Sequence, residues 1–141
     1  MSTGEAEKDK PAATKTLLQF PNGLLGFESV KDFALLSVEE EQPFSWLQAV
    51  NDPSLAFLVI PSFPFFPDYE PDIPAEDAKA LGIRTPEDAL LFNIVTLRPQ
   101  SKPTVNLKGP LVINRHNSQG KQVVLANATK YSVQHPLPIE S

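Results

Sequence analysis

The apolar residues of this chain stand in short runs that prolines and turn-forming residues interrupt, and this spacing limits its possible folds more than any other feature. The 141 residues include 15 prolines, and proline is tolerated in a sheet only at edges, strand starts and bulges. Short runs rich in Leu, Val, Ile and Phe between such breaks are typical of strands. The pattern predicts strands near residues 16–20, 33–38, 44–50, 56–60, 90–97, 104–107, 111–114 and 122–125.

Two breaks set the predicted strand boundaries. Pro53 lacks a backbone donor, so residues 51–54 are expected to separate two strands. Residues 117–120, Asn-Ser-Gln-Gly, are expected to form a hairpin loop between 111–114 and 122–125.

The fold class follows from what lies between the strands. A parallel sheet needs crossover helices, and the chain offers one convincing helix, near residues 75–81, which Gly82 would end. A capping box from Thr85 to Asp88 predicts one further helical turn. We therefore expect an all-β, antiparallel β-barrel-like or packed β-sandwich fold with one short helix and a Pro/Phe-rich loop.

The length is that of one domain. We expect a β domain over residues 15–138, a disordered N-terminal tail over 1–14 and a short C-terminal tail over 139–141. Eight residues of the predicted strands are expected to contribute to the core. They are Trp46, Leu47, Phe57, Val59, Ile94, Val95, Val112 and Val124.

Charge is unevenly distributed along the chain. The net charge is -5, but residues 1–88 carry 16 acidic against 6 basic side chains, and residues 89–141 carry 1 against 6. An acidic protein is poorly suited to binding nucleic acid through phosphates. Its acidic side would either attract a basic partner or serve only solubility.

The chain lacks the residue patterns of common catalytic and metal sites. It contains no cysteine, and its two histidines are His116 and His135. Phosphate loops and hydrolase or metalloprotease motifs are also absent. We therefore expect no enzymatic activity, no cofactor and no metal. Without a signal peptide or an apolar membrane span, the expected location is the cytoplasm.

A segment dense in proline and aromatic residues runs from Pro61 to Pro74. Proline limits the entropy lost on ordering and aromatic rings supply contact area, so the segment suits a rigid presenting loop. Alternatively, Phe63, Phe65 and Phe66 plug one end of the barrel, with Tyr69 hydrogen-bonded beneath them. The acidic residues Asp68, Glu70 and Asp72 would then form an exposed rim.

Several longer stretches resemble the FliW family of flagellar assembly factors, in matching order over residues 16–138. The matching stretches are FPNGLLGFE at 20–28, PFSWLQAVNDPSLAFLV at 43–59, FFPDYEP at 65–71, NIVTL at 93–97, NLKGPLVIN at 106–114, GKQVVL at 120–125 and KYSVQHPL at 130–137.

The resemblance implies a small, non-enzymatic β-barrel-like protein that binds two others. One is flagellin, and the other is CsrA, an RNA-binding translational repressor of flagellin messenger RNA. Sequestering CsrA would relieve repression, and accumulating flagellin would restore it. We expect a monomer when free, with candidate partner-binding residues in the Pro/Phe-rich segment: Phe65, Phe66, Asp68, Tyr69, Glu70 and Asp72.

Two other function classes remain compatible with the sequence. An OB-fold-like module could bind oligonucleotides or carbohydrates by stacking on aromatic side chains, although its charge is wrong for nucleic acid. A hydrolase or isomerase could assemble its site from distant residues. A deep polar pocket that holds a histidine beside a carboxylate would favour the enzyme, and a filled barrel would disfavour it.

Overall fold

Nine strands make up most of the computed structural model, which describes residues 13–138. One α-helix and three 3-10 turns complete the regular structure of these residues. The strands are β1 (Ala13–Gln19), β2 (Asp32–Val38), β3 (Ser45–Ala49), β4 (Asp52–Pro61), β5 (Ala89–Thr96), β6 (Thr104–Val105), β7 (Leu111–Asn114), β8 (Gln119–Gln122) and β9 (His135–Pro136). The helix, α1, is Ala75–Leu81, and the 3-10 turns are Glu39–Glu41, Pro86–Asp88 and Ala128–Lys130.

The predicted tails fall largely outside the described residues. Residues 1–12 and 139–141 are not described, whereas Ala13 and Thr14 belong to β1. They extend the ladder between β1 and β2, because Ala13 pairs with Val38 and Thr14 with Ser37. This pairing explains why β1 begins earlier than the sequence predicts.

Seven strands close into a barrel in the order β4-β3-β2-β1-β8-β7-β5, and β5 pairs again with β4. All these pairs are antiparallel except β1 with β8, which share the single parallel pair Gln19–Gln119. Outside this ring, β6 pairs with the last residues of β5, and β9 pairs with β6. The predicted all-β barrel with one short helix is therefore confirmed. A ring of seven strands also differs from the five-stranded barrel of an OB fold.

Alternation along the strands divides the apolar side chains between the barrel interior and its outer face. The interior cluster consists of Leu18, Phe20, Leu24, Phe33, Leu47, Ala49, Val59, Leu111 and Ile113. The loop cluster, on the outer face, consists of Ile60, Tyr69, Val95, Val105, Leu107, Leu125 and Leu137. The helix cluster joins Leu81 of α1 to Val112 and Val123. The interior is filled by side chains, which disfavours a catalytic pocket inside the barrel.

The predicted core is right for most of its members. Leu47, Val59, Val95 and Val112 are buried, and Phe57 and Ile94 are partly buried against the interior cluster. The prediction is wrong for Trp46 and Val124, which are 38% and 60% exposed. Trp46 precedes Leu47, and Val124 lies between the buried Val123 and Leu125, so the alternation of side chains turns both outward.

The turn between β7 and β8 lies two residues earlier than predicted, and β8 begins three residues earlier. The turn covers residues 115–118, and β8 begins at Gln119. Two asparagine side chains stabilise this turn: the Asn114 Oδ1 accepts the His116 N–H at 2.8 Å, and the Asn117 Oδ1 accepts the Gln119 N–H at 2.9 Å. Gly120, expected in the loop, lies in β8. A Cβ at this position would stand 2.7 Å from the Phe20 Cζ, so glycine leaves room for the ring.

Pro53 was expected to lie between two strands, but it is the second residue of β4. The turn before β4 falls at Val50 and Asn51, and a bulge follows, since Ala49 pairs with Asp52 whereas Gln48 pairs with Ala56. The missing donor of Pro53 therefore falls in the irregular part of the ladder, where proline is tolerated.

The helical elements form where their local signals place them. Gly82 ends α1 in the left-handed conformation, at φ 76°. The capping box from Thr85 to Asp88 is present. Among residues 13–138, no helix is long and apolar enough to cross a membrane.

Candidate functional site

The loop from Ser62 to Pro74, here called the aromatic loop, connects β4 to α1. Backbone hydrogen bonds fold it tightly at its start. The amides of Phe65 and Phe66 both donate to the Ser62 carbonyl, at 3.3 and 3.0 Å, and the Tyr69 amide donates to the Phe66 carbonyl at 2.9 Å. The loop therefore has a defined backbone.

Three aromatic rings of this loop pack on the outside of the barrel. Tyr69 is 5% exposed, and Phe65 and Phe66 are partly buried against the loop cluster. That cluster contains Ile60, whose neighbour Val59 belongs to the interior cluster, so the rings cover the outer face of the sheet. The plug prediction is right that Phe65 and Phe66 are partly buried and wrong that they close one end of the barrel, because they lie on its outer face. Phe63, at 47% exposure, remains at the surface.

Tyr69 is hydrogen-bonded as predicted. Its hydroxyl donates to the Leu107 carbonyl at 2.7 Å, and burial raises the pKa of the phenol to about 12. The side chain thus fixes the aromatic loop to the chain after β6 and does not itself face solvent.

We expect Tyr69→Phe to lower the free energy of unfolding by about 1–3 kcal/mol, because it leaves the buried Leu107 carbonyl without a donor. Urea denaturation measures this change. The raised pKa adds a pH dependence: the neutral phenol is favoured in the folded state, so its stabilisation is complete below about pH 10 and is lost as pH rises towards 12. The difference in stability between wild type and variant should shrink over that window, and a constant difference would contradict this account.

Three carboxylates of the aromatic loop are exposed: Asp68, Glu70 and Asp72. The backbone that carries them is held by the segment after β8. The Asn127 side chain makes two contacts, accepting the Asp72 N–H at 3.0 Å and donating to the Glu70 carbonyl at 2.9 Å. The Tyr131 hydroxyl accepts the Glu70 N–H at 3.0 Å. The acidic side chains consequently project from a fixed backbone.

The structure brings the six predicted site residues into one loop but gives them different surroundings. Asp68, Glu70 and Asp72 are exposed to a partner, and Phe65 and Phe66 are exposed only in part. Tyr69 is buried and holds the loop on the barrel through its hydroxyl group. Sequence reasoning missed Asn127 and Tyr131, which lie more than fifty positions along the chain from the residues they hold. No local signal marks them, since both contacts arise only from the fold.

The two charge halves of the sequence form two adjacent arcs of the barrel. β1 to β4 come from the acidic half and are consecutive neighbours, while β5, β7 and β8 come from the basic half. The aromatic loop and α1 also belong to the acidic half but cover part of the second arc, where Asp77 forms an ion pair with Lys121. Asp68, Glu70 and Asp72 form no ion pair within the described residues.

A histidine does stand beside a carboxylate, but in an exposed, structural setting. The His116 Nε2 lies 3.0 Å from the Asp88 Oδ1, and the histidine side chain is 66% exposed. The other oxygen of Asp88 accepts the amides of Arg84 and Thr85, which hold the pKa of the carboxyl below its usual value. Asp88 therefore ends the capping box. Within residues 13–138, no group of three or more potential metal ligands is present.

Comparison with known proteins gives consistent matches over nearly the whole chain. A family model described as "FliW protein" matches residues 3–137. The flagellar assembly factor FliW of Moorella thermoacetica is 42% identical over 127 residues, which cover 89% of this chain and 80% of that protein. The flagellar assembly factor FliW of Treponema denticola is 42% identical over 125 residues, covering 88% and 84%.

A solved structure agrees with these sequence matches. The crystal structure of a flagellar assembly factor FliW superimposes with a TM-score of 0.77 at 40% sequence identity. The match covers 89% of this chain and 87% of that one.

Proposed function

This chain belongs to the FliW family, and from that premise we propose that it acts in flagellar assembly by binding the translational regulator CsrA and flagellin in turn. The free protein, a monomer in the cytoplasm, holds CsrA away from flagellin messenger RNA. Flagellin that accumulates displaces CsrA, which then represses further synthesis. The relatives compared above are flagellar assembly factors, and their role supports binding rather than catalysis.

The observation that carries the CsrA half of the proposal is the acidic rim of the aromatic loop, Asp68, Glu70 and Asp72. All three side chains are exposed, and their backbone is held by Asn127 and Tyr131. A fixed backbone lowers the entropy lost on binding. An RNA-binding repressor carries basic surface, which such an acidic rim attracts electrostatically.

The charge on this rim should set the rate of encounter with CsrA. We expect the double variant Asp68→Lys and Glu70→Lys to associate more slowly with CsrA at low salt and to show a weaker dependence of that rate on salt, because exposed charges act mainly on encounter. Stopped-flow measurements at several salt concentrations test this. The midpoint of thermal unfolding should change little.

A matched control separates the local surface from net charge. Glu40→Lys with Glu87→Lys makes the same change in net charge at exposed positions outside the aromatic loop. If both double variants slow association equally, the effect belongs to the overall charge and the assignment of the rim to CsrA is wrong.

Titrating flagellin into the preformed complex with CsrA tests the switch. We expect flagellin to release CsrA. One small protein offers little room for a single patch complementary to both a filament subunit and a compact RNA-binding protein, so we place the two partners on separate, negatively coupled surfaces. Light scattering should then detect a ternary species, and each partner should weaken the other by the same factor.

The outcomes of this titration are distinct. A complete absence of ternary complex at all concentrations would show overlapping surfaces and leave the switch intact. CsrA that stays fully bound at saturating flagellin would show that the switching function is wrong for this protein.

A further inference from the structure

One edge of β1 is open in the described structure. β1 pairs with β2 from Ala13 to Gln19, but it meets β8 only at the pair Gln19–Gln119. The Gln19 amide donates to the Ser118 carbonyl on the side away from β2, at 3.0 Å, and the Phe20 amide donates to Lys31 on the β2 side, at 2.8 Å. Because these directions alternate along a strand, the amide and carbonyl of Lys15 and of Leu17 also point away from β2.

Two apolar side chains are exposed on the outer face near this edge, Leu17 and Trp46. Leu17 is 62% exposed on the outer side of β1. In the next row Lys15 pairs with Leu36, and Leu36 pairs with Trp46, which is 38% exposed. The aromatic loop and α1 cover the outer face over β4, β5 and β7 but not over this part.

A cleft lies at the far end of the same edge. It has a volume of about 330 Å³, and its lining includes Leu17 and Leu18 of β1 together with Ser118 of the turn before β8. The cleft thus lies where β1 and β8 diverge, in line with the open backbone groups. Leu17, Phe33 and Val50 give the cleft an apolar surface for a side chain of an added strand. The polar part of its lining is Gln19, Asp32, Asn117 and Ser118.

We infer that the β1 edge binds an extended segment of another protein by strand addition, with an acidic side chain beside Lys15 and an apolar side chain beside Leu17. In this mode the backbone groups of Lys15 and Leu17 supply the hydrogen bonds, and alternate side chains give the specificity. Lys15 is the only charged residue of β1, so a carboxylate opposite it is the complementary choice. This surface is independent of the aromatic loop.

The same charges disfavour a second copy of this chain as the occupant. β1, with the sequence ATKTLLQ, contains no acidic residue, so pairing two β1 strands offers Lys15 no carboxylate in any register. Each copy also carries a net charge of -5, which opposes self-association. If Lys15 served only to prevent sheet edges from pairing, the edge would bind no acidic strand either.

Proline substitutions test the geometry of the edge. Lys15→Pro removes a donor that points away from β2, and a proline is tolerated at such a position. Thr16→Pro removes a donor that points toward β2. We expect the first variant to keep the wild-type midpoint of thermal unfolding within a few degrees and the second to lower it clearly. The reverse order would overturn the assignment of the open groups.

A synthetic peptide tests the binding itself. The peptide Thr-Val-Thr-Glu-Thr-Val-Thr places Glu beside Lys15 and Val beside Leu17 in either strand direction, and its control carries Lys in place of Glu. With the full-length protein, we expect amide shifts centred on Lys15 and Leu17 and slower hydrogen exchange at both. The Glu peptide should bind about fivefold more tightly than its control, and Lys15→Glu should reverse that preference.

Several results would overturn the inference. They are the absence of shifts at Lys15 and Leu17 at millimolar peptide, equal binding of the two peptides, and binding by Lys15→Pro as tight as by the wild type. Binding only after removal of residues 1–12 would assign the edge to this chain's own N-terminal segment instead. Because neither CsrA nor flagellin enters these measurements, their outcome is separate from the partner switch.

Discussion

Leu47→Ala is expected to lower the free energy of unfolding by about 2–5 kcal/mol, because it removes a fully buried side chain from the centre of the barrel and leaves a cavity. Leu47 is 0% exposed. It pairs with Leu35 on β2 and Phe57 on β4, and both belong to the packing around the interior cluster. A loss of this size is a large share of the stability of a small domain. Chemical denaturation measures this loss as a lower midpoint, while the dependence of the free energy of unfolding on denaturant concentration stays unchanged.

The neighbouring residue provides the control. Trp46 lies one position away on the same strand, but it faces outward and is 38% exposed. Trp46→Ala should therefore cost less than Leu47→Ala although it removes a larger side chain. A larger loss for Trp46→Ala, or an unchanged midpoint for Leu47→Ala, would show that the faces of β3 are assigned wrongly.

Elements that depend on neighbouring residues could be predicted closely from the sequence. The helix at Ala75–Leu81 and its end at Gly82 follow from local signals, as does the capping box of Thr85 and Asp88. β7 also has the bounds that its apolar run predicts. In each case the determining contacts lie within a few residues, so the sequence pattern contains the whole physical cause.

The register of β8 depends on residues far away in the sequence. The Asn-Ser-Gln-Gly stretch is a good local signal for a loop, yet Gly120 lies in the strand. In the strand, this glycine leaves room for the ring of Phe20, one hundred positions earlier in the chain. The segment around Trp46 shows a related limit, because a run such as Ser45–Ala49 indicates a strand but not which face lies inside.

The exposure of the three carboxylates of the aromatic loop could be predicted from the sequence, but the contacts that hold their backbone could not. The density of Asp68, Glu70 and Asp72 within a proline-rich segment marks them as a surface feature, and the structure shows them exposed. The contacts from Asn127 and Tyr131 depend on how the chain after β8 returns to the aromatic loop. Such a return is a property of the closed barrel, which no local pattern encodes.

The close contact between Phe20 and Gly120 should produce the other large effects on stability. The Phe20 ring is fully buried and lies edge-on to Phe33, with 5.5 Å between ring centroids. We expect Phe20→Ala to cost about 3–5 kcal/mol. Gly120→Ala should cost about 1–3 kcal/mol through overpacking, because the added Cβ would stand 2.7 Å from the fully buried ring. Gly109→Ala is the control, since the nearest atom to its added Cβ lies at 3.5 Å.

The double variant tests whether the ring is the reason for the glycine. Phe20→Ala removes all three atoms nearest to a Cβ at position 120, and alanine is favoured over glycine within a strand by about 0.5–1 kcal/mol. Gly120→Ala should thus change from destabilising in the wild type to neutral or stabilising beside Phe20→Ala. The coupling energy in the double-mutant cycle should exceed about 1 kcal/mol. Additive losses in denaturation experiments would show instead that the glycine is required by the backbone of β8, and the explanation given for its position in the strand would be wrong.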